Sequence, residues 1–200
     1  MKSNETSQRP GGLSGTLSGV VYAALSLAVA PTAFAGPQNG VVTAGSASIS
    51  APGAGLTQID QSSPSVRIDW SSFNVAPKEK VVFKQPSASA VALNRIYDQN
   101  PSQIQGSLTA NGRVFLINPN GIIFGASAHV DVGSLVASSL DIDEADPATG
   151  HYRFKASLGA SGAIRNSGQI VAGSGGSVTL LGSAVSNDGL IVADYGSVNL

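Results

Sequence analysis

Few residues in this chain have types and spacings that could do chemistry. His129 and His151 stand far apart with apolar neighbours, which favours surface or internally satisfied imidazoles over a catalytic or metal-binding pair. Asp141, Asp143, Glu144 and Asp146 form an acidic cluster whose oxygens are of the kind that ligate calcium. The EF-hand spacing is missing, so a solvated loop is expected there, with one short helical turn at most over Asp141 to Pro147. Glycosidic or lyase chemistry on a repetitive scaffold would need paired carboxylates, or carboxylates with Arg or Lys, on neighbouring repeats. Beyond residue 160 the charged side chains are Arg165, Asp188 and Asp194, too sparse for that. The absence of Cys removes thiol nucleophiles, zinc–thiolate sites and iron–sulfur clusters. Trp70 alternates with Val66 and Ile68 and reads as packing rather than a sugar platform, and Lys78-Glu79-Lys80 after Pro77 as an exposed turn. No catalytic, cofactor-binding or metal-ligating residue is expected.

The most informative stretch, Asn111 to Gly125, reads NGRVFLINPNGIIFG. Apolar runs (Val114 to Ile117, Ile122 to Phe124) flank Asn118-Pro119-Asn120-Gly121. Pro119 presets φ for the second position of a type I turn, and Asn118 can accept a hydrogen bond from the backbone two residues on. A strand, a tight turn and a second strand follow.

The N-terminus points to a compartment. Lys2 and Arg9 precede an apolar stretch densest in Val20 to Ala30, then Pro31 and the small-residue pattern Ala33-Phe34-Ala35 before Gly36. This predicts a signal peptide over residues 1–35, cleaved after Ala35. The apolar run is shorter than the roughly 20 residues a spanning helix needs. Its removal takes away Lys2, Glu5 and Arg9 and leaves a mature part with a formal charge of −2 (nine basic, eleven acidic). That balance gives no reason to expect nucleic acid as a partner. With 42% hydrophobic and 12% charged residues the composition is not that of a disordered chain. An exported chain without Cys must be held by its core and backbone ladders.

Short apolar segments bounded by Gly, Asn, Ser or Pro recur along the mature part, several alternating with period two. They include Val66 to Trp70, Val81 to Phe83, Val91 to Leu93, Val130 to Val132 and Tyr152 to Phe154. The last third repeats itself: AIRNSGQIVA (Ala163 to Ala172) aligns with AVSNDGLIVA (Ala184 to Ala193) at an offset of 21, and GSVTL (Gly176 to Leu180) with GSVNL (Gly196 to Leu200) at 20. Each unit reads strand, Asn-x-Gly turn, strand, Gly-rich corner, strand, which marks a solenoid. Leucine-rich spacing is absent, so the expected fold is all-β: a right-handed parallel β-helix with N-terminal capping strands and small extra-helical elements. Roughly seven or eight coils are expected, on the order of 35 Å of rod. Leu200 falls inside a strand partway through a repeat, so a longer natural chain is expected.

Ile59 to Ile142 resembles the N-terminal secretion (haemagglutination activity) domain of the filamentous haemagglutinin family, the exported partners of bacterial two-partner secretion. The likeness is carried by IDWSSFNV (Ile68 to Val75), VVFKQPSASAVALNRI (Val81 to Ile96), SQIQGSLTANGRVFLINPNGIIFG (Ser102 to Gly125) and VDVGSLVASSLDI (Val130 to Ile142). The earlier Asn-Pro-Asn-Leu element of many members is absent. The resemblance implies a secretion domain over 36–160 and the start of an adhesin-like shaft over 161–200.

It further implies a targeting role rather than catalysis. A dedicated outer-membrane β-barrel transporter would recognise the domain through its periplasmic domains. The chain would cross the periplasm of a Gram-negative bacterium and fold outward, coil on coil, to reach the cell surface or the medium. Candidate recognition residues are Asn118, Pro119, Asn120, Gly121 and Ile122, with Asn94, Arg95 and Ile96 second. The alternative for the first set is a turn that only shapes the rod. For the second it is coil packing, with Asn94 bonding the backbone at a corner. Two other function classes stay open: a carbohydrate-active β-helix enzyme, and an adhesin module that itself binds host glycans or haem. No cofactor and a monomeric state are expected.

Overall fold

A computed structural model describes residues 36–146, 149–156 and 162–200. The expected signal segment, with Ala33 and Ala35, lies outside the described residues; Gly36 is the first of them. The expected boundary at 160/161 also falls outside them. All regular structure among the described residues is strand.

The chain winds through three sheets in a fixed cycle. The first coil holds β3 (Leu56–Gln61) and β4 (Ser65–Trp70), after β1 (Val41–Ala44) and β2 (Ala47–Gly53). The second holds β5 (Lys80–Lys84), β6 (Val91–Ile96) and β7 (Ser102–Ile104). The third holds β8 (Ser107–Ala110), β9 (Arg113–Ile117) and β10 (Ile122–Phe124). In the fourth, β11 (His129–Val132) and β12 (Ser134–Ser138) are followed by a detour, β13 (Asp141–Asp146) and β14 (His151–Lys155), before β15 (Ile164–Asn166). The fifth holds β16 (Gln169–Ala172), β17 (Ser177–Leu181) and β18 (Val185–Asn187), and the sixth β19 (Leu190–Ala193) and β20 (Ser197–Asn199). Successive coils pair in parallel, β4-β6-β9-β12-β17-β20 on one face, β3-β5-β8-β11-β16-β19 on the second and β7-β10-β15-β18 on the third. This is the parallel β-helix expected.

Alternation in the sequence decides which side chains fill it. In β4 the burial alternates strictly, so Val66, Ile68 and Trp70 point inward while Ser65, Arg67 and Asp69 point out. Register then stacks like on like: Val66, Ala92, Val114, Leu135 and Val178 form one inward column, and Val81, Leu108, Val130, Ile170 and Ile191 another. Each fully buried Val, Ile or Leu contributes about 1.5–3 kcal/mol. Gln169 pairs with Leu190 and Ser177 with Ser197, the offsets read from the repeats.

There are six coils rather than seven or eight, five steps of about 4.8 Å or roughly 24 Å. The rest of the chain is used elsewhere. β1 lies antiparallel on β4 and β2 antiparallel on β3, closing the N-terminal end. A second portion builds the β13–β14 hairpin, which forms a sheet of its own. Ile122 pairs with Ile164 at twice the repeat offset, so the detour consumes one coil's worth of chain. Asp141 to Asp146 is thus strand, not a helical turn or solvated loop. Tyr152 and Phe154 alternate with charged residues in β14 and supply the apolar face that fixes the hairpin on the rod.

Candidate functional site

Asn118-Pro119-Asn120-Gly121 forms the corner between β9 and β10, which lie in different sheets, so the turn bends a coil and does not close a hairpin. Gly121 N donates to Asn118 O at 2.9 Å, closing the four-residue turn, and Asn120 N donates to Asn118 Oδ1 at 2.9 Å. The corner is also fastened to the coil before it. Asn118 Nδ2 donates to Asn100 O (3.1 Å) and Ser102 Oγ (3.0 Å), and Asn120 Nδ2 to Asp98 O (2.7 Å). Asn118 N reaches Ser138 O at 2.9 Å in the coil after it. Gly162 and Ala163 then pack over the turn, Gly162 N donating to Pro119 O and Ile122 N to Ala163 O. Gly121 has φ of 106°, and a Cβ there would sit 2.6 Å from Ala163 O. A Cβ on Gly162 would sit 2.2 Å from Gly121 N. Both glycines let backbones of neighbouring coils touch.

Burial divides the candidates. Asn118 and Ile122 are 0% exposed, and Gly121 is buried. Pro119 and Asn120 keep part of their surface. In the second set Asn94 is 0% and Ile96 1% exposed, while Arg95 is part-exposed.

Asn94 lies within β6, not at a corner. Its side chain points into the rod, donating to Ala92 O (3.2 Å) and Phe115 O (3.1 Å) and accepting from Trp70 Nε1 at 2.9 Å. Trp70 is packing, as its alternation indicates, edge-on to Phe73. The two candidate sets converge, because Arg95 pairs in register with Ile117, the residue before Asn118.

Arg95 points outward and grips Asp141, at the base of the hairpin, through Nε and Nη2. The hydrogen bonds to Asp141 raise the Arg95 pKa above its ordinary value, against the opposing effect of burial. The hairpin lies over Val91, Phe115 and Ile117 with Ile142, Tyr152 and Phe154, the Phe115 and Tyr152 rings 4.5 Å apart. Between the hairpin and β1 a groove of about 510 Å³ runs over β4 and β6, lined by Gly45, Arg67, Leu93, Arg95, Ile142 and Tyr152.

Sequence reasoning missed the partners of the turn: Asp98, Asn100 and Ser102 before it, and Gly162 and Ala163 after it. Asp98-Gln99-Asn100-Pro101 carried a turn signal of its own, since Asp98 Oδ1 accepts from Asn100 N. Asp143 of the acidic cluster pairs with Lys155, whose hydrogen bond and charge lower its pKa below the ordinary 3.8. No group of metal-ligating side chains occurs among the described residues.

Comparison with known proteins fits this geometry. A family model described as the TPS secretion domain matches residues 33–200. Two heme/hemopexin-binding proteins of Haemophilus influenzae are similar, one 47% identical over 107 residues (54% of this chain, 12% of the relative), the other 41% over 118 residues (59% and 13%). This chain therefore spans about an eighth of those relatives' length. Among solved structures, the HMW1 secretion domain of Haemophilus influenzae matches with a TM-score of 0.73 at 36% identity, over 78% of this chain and 42% of that one. A six-coil β-helix, closed at its N-terminal end and matched almost throughout by that family model, belongs to the TPS secretion domains, the parts of large exported two-partner secretion proteins that direct their secretion from Gram-negative bacteria.

Proposed function

We propose that this segment is the export address of a larger exoprotein, read in the periplasm by the periplasmic domains of a partner outer-membrane β-barrel transporter. Residues 1–35 act as the signal peptide, removed between Ala35 and Gly36. The first coils then template those that follow as the chain emerges at the cell surface. The observation that carries this is a rod closed at its N-terminal end, on which each later coil lies in parallel register with the one before. Each added coil buries another set of inward Val, Ile and Leu, which opposes backsliding. The chain carries no disulfide to hinder threading.

Recognition falls to the corner where the two candidate sets meet. Asn118, Gly121, Ile122, Asn94 and Ile96 set its shape from inside. Pro119, Asn120 and Arg95 offer surface to the transporter. Co-expression with the transporter, followed by assay of the medium and the periplasm, tests this. Substitutions at the corner are expected to trap a folded periplasmic form, and undiminished secretion of all of them would reject it.

The names of the two Haemophilus influenzae relatives favour haem or hemopexin capture as the task of the whole exoprotein. We assign that task to chain outside this secretion segment. Retention of the purified segment on haem–agarose would reject that division.

A further inference from the structure

One inward position of the third face changes chemistry along the rod. Val75, Ile104, Phe124, Asn166 and Asn187 stand in register on successive coils. The first three are apolar and 0% exposed; Asn166 is equally buried but carries an amide. The switch falls across the hairpin detour: Ile104 and Phe124, both apolar, stand 20 positions apart, Phe124 and Asn166 stand 42 apart, and Asn166 and Asn187 stand 21 apart.

Both polar atoms of the Asn166 side chain have partners. Its Oδ1 accepts from Gly168 N at 3.1 Å, and its Nδ2 donates to Asn187 Oδ1 at 2.7 Å. Asn187 holds the matching place on the next coil, bonded through Nδ2 to Gly189 O at 3.3 Å and exposed on the open edge.

We infer that this amide pair is the register reader of the growing rod, setting the coil that carries Asn187 in step with the coil that carries Asn166. The inference rests on the reading that coils are added one upon another, and it names the group that reads position. Apolar columns cannot do this alone. A strand's side chains repeat every two residues, so a two-residue slip keeps Val, Ile and Leu inside. Such a slip would set Val185 or Gly189 opposite Asn166 and leave a buried donor unpaired. That disfavours the slipped pairing on the order of tenfold or more. Val75, Ile104 and Phe124 show that the position accepts apolar side chains, so the amides are not needed to fill it.

The chain has no Cys, so an introduced pair reports register without interference. Arg165 and Ser186 are exposed neighbours in register, and strands about 4.8 Å apart lie within disulfide reach. The chain carrying Arg165→Cys and Ser186→Cys, refolded from urea and mildly oxidised, is expected to cross-link almost completely. Adding Asn187→Asp, which keeps the acceptor for Asn166 Nδ2, leaves that yield within about twofold. Adding Asn187→Leu, which fills the space without an acceptor, lowers it about threefold or more, by slippage or by fraying of β18. A pair at Arg165 and Asp188 reports the slipped form. Parental yield with Asn187→Leu, or equal loss with both substitutions, would overturn the inference. Failure of the unsubstituted pair to cross-link would instead reject coil-on-coil stacking. The assay uses no transporter, so a secretion defect cannot imitate either result.

Discussion

The indole Nε1 of Trp70 donates to Oδ1 of Asn94 on the next coil, 2.9 Å away in a largely apolar interior. Neither group meets water, with exposures of 1% and 0%. Asn94 donates its two N–H groups to Ala92 O and Phe115 O, so one amide ties together β4, β6 and β9.

Asn94→Ala therefore strands a buried indole donor and opens space beside it. A loss of about 2–4 kcal/mol is expected, read by urea denaturation with Trp70 fluorescence as the probe. An unchanged midpoint would mean that the indole finds another acceptor.

Asn118→Ile and Asn120→Ile separate shape from recognition. The first removes two side-chain bonds and the acceptor of the turn from a buried site, costing about 2–4 kcal/mol. The second removes one half-exposed bond, at about 1 kcal/mol, and leaves the rod folded. Both are expected to reduce secretion, with Asn120→Ile accumulating as a folded periplasmic form. Parental amounts of both in the medium would remove this corner from the recognition surface.

Gly162→Ala drives a methyl group against the backbone of Gly121, and a loss of about 1–3 kcal/mol is expected. Gly53→Ala is the control, since nothing lies within 4 Å of its Cβ position. It is expected to change stability by no more than about 0.5 kcal/mol. Thermal unfolding of the two side by side is the measurement.

Arg95→Ala removes the grip on Asp141 but leaves the apolar contacts of Phe115 and Tyr152. Amide exchange in β14 is expected to quicken about tenfold while β9 and β12 stay protected. Equal quickening in all three would show that the pair supports the rod and not only the hairpin.

Asp143 should titrate below the ordinary aspartate value because Lys155 stabilises its carboxylate. A lowered folded pKa favours the folded state above the unfolded value, and that benefit fades as pH falls through the folded one. Lys155→Ala should return the Asp143 carboxyl resonance to an ordinary midpoint, and an unmoved midpoint would assign the shift elsewhere.

The winding was legible because two stretches of the last third repeat at fixed offsets, with ten of fifteen positions identical, and the register of the coils obeys those offsets. Strands such as Ser102–Ile104 and Ser107–Ala110 were not, since Ser, Gln and Thr announce no apolar run and are held by the ladders beside them. The hairpin was hidden for a related reason. Asp141, Asp143 and Glu144 suggest solvent, and only the alternation of Tyr152 and Phe154 across the turn betrays the partner strand. For the candidate corner, Pro119 and Gly121 announced the turn, but its fastenings lie on neighbouring coils, beyond the reach of any local pattern.

The two antiparallel strands at the start have a consequence for solubility. β1 carries an irregular step between Val42 and Ala44, and β2 carries Pro52 near its end, so the rim they form is a poor match for another molecule's parallel rungs. For copies crowded together during export, this irregular rim is a poor seat for a neighbour's strands.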